Sequence, residues 1–131
     1  MFKPLVKEDG KTLEVLATNG QTFTKFCGVK FTTGLAVVAA AGDPSIDFIS
    51  TEAATIANTT TNITVLRVDP SILMEVDTSA AVAAANVGIR YDIANQTHID
   101  VAATTDKAFL IAKLYPGNNT KAYGYFMQPI A

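Results

Sequence analysis

A chain of 131 residues suits one domain with a core of its own, built without disulfides or metals. Hydrophobic residues make up 49% of it and charged residues 17%, below the ~25% of an ordinary soluble domain, which points to a surface partly covered by a partner or, alternatively, made polar by Thr and Asn. With 10 Lys and Arg against 12 Asp and Glu the net charge is −2, and no basic stripe exists to neutralise phosphates, which argues against a nucleic-acid partner.

Strand signals dominate the chain. Residues 12–17 (TLEVLA) alternate and end at Thr18-Asn19-Gly20, whose Asn-Gly pair favours a tight hairpin into residues 21–26. Gly28 breaks the pattern, residues 29–32 resume it, and Thr33-Gly34 turns the chain into residues 35–39. Gly42-Asp43-Pro44-Ser45 is a further turn, because proline presets φ and aspartate bonds the backbone locally; residues 46–49 follow as a short strand. Residues 51–57 read as one or two helical turns and 58–62 as a polar loop.

Residues 63–68 and 72–76 are strands around the Asp69-Pro70-Ser71 turn. Asp77-Thr78-Ser79 resembles a helix N-cap before Ala80–Ala85, the only strongly helical hexamer, too short to hold without docking. Strands are expected at 87–93, 98–102, 108–115 and 121–127, the last two joined by a hairpin loop at Pro116-Gly117-Asn118-Asn119. Nine or ten short strands at this spacing, with no crossover helix, predict an all-β fold: a single small β-barrel or sandwich over residues 11–131, with one short helix. Residues 1–10 form no hairpin and are expected to be an extended N-terminal arm.

Residue types suited to catalysis are scarce. The chain has 20 Ala and 17 Thr but one histidine, one cysteine and no tryptophan. Small and β-branched side chains suit closely spaced strands and flat subunit contacts rather than acid–base work. Cys27, between Phe26 and Gly28, reads as a small buried hydrophobe and has no cysteine to pair with.

His98 and Asp100 share a strand face with Asp92 as a possible third ligand, but a metal site requires three or four placed ligands and an exposed strand accounts for the pattern. The acids Asp69, Glu75, Asp77, Asp92 and Asp100 have no spacing that demands a glycosidase pair. No nucleotide-binding glycine loop or serine-hydrolase elbow occurs. The expectation is a protein that is not an enzyme and needs no cofactor. The Asn-x-Thr sites at Asn58, Asn62, Asn95 and Asn118 arise by chance in a Thr-rich chain. Residues 35–41, the longest apolar run, are too short to span a bilayer, and residues 1–10 lack the apolar stretch of a secretory signal. No membrane partner is expected.

Tyr123 and Tyr125, spaced by Gly124, put two phenol rings on one strand face, where they could anchor a protein partner, stack on a sugar or cover a barrel end. In the arm, Phe2, Pro4, Leu5 and Val6 are apolar and Pro4 favours an extended chain, so the arm is expected to add to a sheet edge of a partner or of a neighbouring subunit and to be dispensable for folding, the alternative being a frayed terminus.

Two stretches carry a resemblance. One is Val29-Lys30-Phe31-Thr32-Thr33-Gly34 followed by Ala39-Ala40-Ala41-Gly42-Asp43 and the strand 46–49. The other is Ile72-Leu73-Met74-Glu75-Val76 with Ala84-Ala85-Asn86-Val87-Gly88-Ile89-Arg90-Tyr91-Asp92-Ile93, then Asp100-Val101-Ala102-Ala103-Thr104-Thr105 and Phe109-Leu110-Ile111. Their order resembles that of capsid decoration (cement) proteins of tailed bacteriophages, over most of the chain from Phe23 onward. The resemblance implies a virion protein made in the bacterial host cytoplasm. It would bind the major capsid protein on the capsid exterior, as a homotrimer bridging capsomers, with the arm on the capsid or on a neighbouring subunit. No binding residue carries over, because such residues differ between phages. The alternative is a receptor- or carbohydrate-binding module that uses Tyr123, Tyr125 and the Asn118 loop.

Overall fold

Alternation of polar and apolar residues decides which face of each strand is buried, and it is cleanest near the C-terminus. In Lys121–Phe126 the residues Ala122, Gly124 and Phe126 turn inward while Lys121, Tyr123 and Tyr125 stay half-exposed. The computed structural model describes residues 1–5, 12–57 and 61–129. Their strands are β1 (Phe2–Pro4), β2 (Thr12–Ala17), β3 (Thr22–Phe23), β4 (Gly28–Thr32), β5 (Leu35–Val38), β6 (Phe48–Ser50), β7 (Ala54–Thr55), β8 (Thr61–Arg67), β9 (Met74–Thr78), β10 (Arg90–Ile93), β11 (His98–Asp100), β12 (Phe109–Leu114) and β13 (Lys121–Phe126). The all-β barrel architecture read from the sequence is the one observed.

Two rings of strands make up that architecture. The first is a closed barrel in the order β2-β5-β4-β6-β8. The second is the sheet β1-β9-β11-β10-β12-β13, which the β9–β13 pairing closes on itself. Strand β9 takes β13 along one edge, and on its other edge β1 pairs with Met74 to Val76 before β11 joins in parallel at Asp77 and Thr78. The small pair β3–β7 lies beside the first ring.

One face of β8 fills the first ring and the other joins the rings together. Ile63 and Val65 belong to a cluster with Ala17, Phe23, Cys27, Val29, Ala36 and Ile56. Leu66, with Ile49 and Val68, belongs to a larger cluster with Met74, Val76, Ile93, Ile99, Phe109, Ile111 and Phe126 of the second half. Backbone bonds cross the same boundary, from Gly28 N to Gln96 O at 2.7 Å and from Phe2 N to Phe26 O at 2.8 Å.

The structure corrects four local expectations. Phe2–Pro4 is no free arm: it is a strand, and Phe2 is 0% exposed with its ring edge-on to Phe126 at 5.0 Å. Its register partner is a strand seventy residues away, so no local turn announces it. Residues 80–85 form no helix, only a single 3-10 turn at Ala84–Asn86. Six alanine-rich residues cannot offset helix nucleation, and Val82 N donates instead to Asn119 O at 2.7 Å. Residues 51–57 contain strand β7 rather than helical turns. The Asn19-Gly20 turn joins no hairpin either, because β2 pairs with β8 on one edge and with β5 at Ala17 on the other, while β3 pairs with β7. The polar loop expected at 58–62 lies partly outside the described residues, and Thr61 already begins β8.

Candidate functional site

Cross-strand register on the outer face of the second ring assembles a tyrosine-bearing surface. Lys3 lies opposite Glu75, Glu75 opposite Tyr123, and Tyr123 opposite Lys113, so one row crosses β1, β9, β13 and β12. One step along the strands, Tyr125 lies opposite Leu110. At the β1 end of the face Leu5 N donates to Leu73 O at 2.9 Å. Leu5 is 42% exposed. Here Leu5, Leu73, Ala112, Lys113, Pro116, Tyr123 and Tyr125 line a groove of about 330 Å³.

Gly124 makes this surface possible. Its register partner is Ile111, next to an irregularity in β12 between Ile111 and Lys113, and a Cβ on Gly124 would stand 1.9 Å from Leu110 O and 2.8 Å from the Phe109 ring. The missing side chain lets β12 close on β13 and holds the flanking tyrosines on the outer face. Tyr123 stacks on Tyr115 with ring centroids 5.2 Å apart, and Lys113 Nζ lies 6.0 Å from the Tyr123 centroid. Partial burial, then the neighbouring Tyr115 and Glu75, raise the Tyr123 phenol above its ordinary value, so it stays protonated through the neutral range.

The other end of the face is ionic. Lys121 Nζ lies 2.6 Å from Asp77 Oδ1 and 3.7 Å from Glu75 Oε2, and the Met1 ammonium donates to Asp77 Oδ2 at 2.7 Å and to the Thr97 carbonyl. Burial pushes the Asp77 carboxyl up, but hydrogen bonds from Lys121 and the ammonium, with their charges, outweigh it and hold the group below its ordinary value. The Asp77 hydrogen bond raises Lys121 above its own, against the opposing effect of burial.

Of the residues singled out from the sequence, Leu5, Tyr123 and Tyr125 meet at the groove. Phe2 and Pro4 are buried on the opposite face of β1, which removes them from any surface contact, and Val6 lies outside the described residues. Asn118 is not at the groove. Its side chain accepts from Thr120 N at 3.0 Å and lines a separate cavity of about 480 Å³ with Val82, Leu114, Tyr115 and Lys121.

The acids are occupied in turns and ion pairs. Asp69 accepts from Ser71, Asp100 from Ala102 N at 2.9 Å, and Asp92 from Asp106 N and Lys107 N at 2.7 and 2.9 Å. No group of three or more His, Cys, Asp and Glu that could hold a metal ion occurs among the described residues. Cys27 is buried, its Sγ 3.3 Å from Ser50 Oγ. Sequence reasoning missed Leu73, Lys113, Tyr115 and Pro116. The local signal for the last three is the Pro116-Gly117 turn, which folds Lys113 and Tyr115 back beside Tyr123, whereas Leu73 has none. No protein-family model, curated protein or solved structure matches the chain.

Proposed function

We propose that this chain is a structural virion protein that docks on the outside of an assembled phage capsid and stabilises it by bridging capsomers. In this reading the partners are the major capsid protein and further copies of the chain as a homotrimer. The observation that carries it is the groove between Leu5, Leu73, Tyr123 and Tyr125, set on a ring of strands closed by hydrogen bonds. Rigid tyrosines beside aliphatic side chains are the common anchors of protein interfaces, because they bury much area at little cost in conformational entropy. Thr and Ala elsewhere on the surface allow close approach of neighbouring subunits.

The test is the copy number of the chain in purified particles from its source, by quantitative mass spectrometry against the major capsid protein. Near-equimolar abundance is expected, together with a lower thermal disruption temperature for particles stripped of the chain. A handful of copies per particle moves it to tail or portal, and absence from particles removes the virion reading. The alignment of Tyr123 and Tyr125 on one face also favours a second reading, a carbohydrate-binding module, which predicts glycan-array binding lost in Tyr125→Ala.

A further inference from the structure

We infer that the Tyr123–Tyr125 groove takes an extended, acidic peptide segment of a partner protein, with two carboxylates about four residues apart. The inference rests on this face being a protein-docking surface, and it adds the chemistry of what docks. The groove crosses the strands from Leu5 and Leu73 at β1 and β9 to Ala112 and Pro116 beside β12, so its floor is aliphatic and aromatic. Cations stand at both ends of the row that borders it: Lys3 on β1 and Lys113 on β12.

Neither lysine makes an ion pair among the described residues, whereas Glu75 between them is held by Lys121, and Asp77 is held by Lys121 and the Met1 ammonium. Among the described residues the face therefore presents apolar area flanked by two cations outside any ion pair, complementary to an acidic chain. Three strand spacings separate Lys3 from Lys113, roughly 14 Å, which an extended peptide covers in about four residues.

The groove suits a peptide better than a sugar. A neutral sugar has no charge to set against Lys3 and Lys113, whereas the carboxylates of an acidic segment supply it. Among the described residues the lining side chains supply two phenols and one ammonium as polar groups, the ammonium being that of Lys113.

The experiment is selection of mRNA-displayed random dodecapeptides on the full chain, followed by affinity measurement for the enriched peptides. The expected result is enrichment of Asp or Glu at i and i+4 around Pro or aliphatic residues, with affinity that falls as salt rises. Lys113→Glu, at an exposed position that leaves the core untouched, should weaken the best peptide at least about tenfold, the scale of one lost charge-assisted contact. Tyr125→Ala should also weaken it, and replacing the peptide's acids by lysine should abolish binding.

Enriched peptides without an acidic bias, equal binding to Lys113→Glu, or no enrichment at all would each overturn the inference. Binding on a glycan array that Tyr125→Ala removes, with no peptide enriched, would assign the groove to carbohydrate. Purified capsids separate this inference from the reading beneath it. Acidic peptides that bind a chain indifferent to capsids sink decoration alone; capsids that bind Lys113→Glu as well as the parent sink the acidic segment alone.

Discussion

Single residues set the spacing and the turns on which the surface depends. At Gly124 a methyl group would meet the carbonyl of Leu110 at 1.9 Å, and backbone in a closed ring cannot retreat far. Gly124→Ala should therefore cost about 3 kcal/mol or more, read as a fall in the urea midpoint, and should disturb both flanking tyrosines. Gly28 offers the contrast. Its added Cβ would lie 3.1 Å from Ala39 Cβ and from the end of Ile46, and 3.3 Å from the Phe2 ring, contacts that side chains can partly relieve. Gly28→Ala should cost only about 1–2 kcal/mol in the same assay, and a loss as large as that at Gly124 would contradict this account. Thr33 carries the opposite opportunity. It sits at φ 51° before Gly34 at φ 82°, so both turn residues are left-handed, and a β-branched residue is strained there. Thr33→Asn should raise stability by about 0.5–1 kcal/mol, measured by thermal unfolding.

Strand β1 is the element on which expectation and structure diverge most. Phe2 packs in the core against Phe126, which in turn meets Phe109 at 4.9 Å, and the strand bonds both rings. Phe2→Ala should destabilise the chain by about 3–5 kcal/mol, checked by chemical unfolding, whereas a dispensable arm would show almost no change. The reason this was hidden is general. Period-two alternation says which face of a strand is buried but not which strand lies beside it. Local pairings were therefore legible: β2 has the bounds read from TLEVLA, and the Thr33-Gly34 and Pro116-Gly117 turns join real neighbours in β4–β5 and β12–β13. Pairings across the chain, such as β1 with β9 and β2 with β8, had no such signal. The candidate site divides the same way. Tyr123 and Tyr125 share a face by simple alternation, but Leu5 and Leu73 reach them only through the β1–β9–β13 register.

At the scale of the whole molecule, the second ring is tied near the meeting of β1, β9, β11 and β13 by one ionic cluster, and its titration gives the fold a defined pH window. Asp77 is held below its ordinary value of 3.8, so the stability it contributes is present above that pH and is lost as pH falls through its lower, folded value. Lys121 is held above its ordinary 10.5, so its contribution is present below that pH and is lost as pH rises through its higher, folded value. Between these limits the Asp77–Lys121 pair contributes a constant amount. Both side chains are about one-quarter exposed, which limits it to about 1 kcal/mol after solvent screening. Asp77→Asn should thus lower the urea midpoint by a constant margin from about pH 5 to pH 7, and the gap to the parent should shrink below pH 4 as the parent's own carboxylate protonates. A gap that persisted unchanged at pH 2 would mean that the charge of Asp77 is not what ties the ring. A gap that widened with acid would reverse the sign of the argument. Because Lys121 also restrains Glu75, the same variant should free part of its charge toward Glu75 and leave the Tyr123–Tyr125 end of the face unaltered, so peptide affinity at the groove should survive where stability falls.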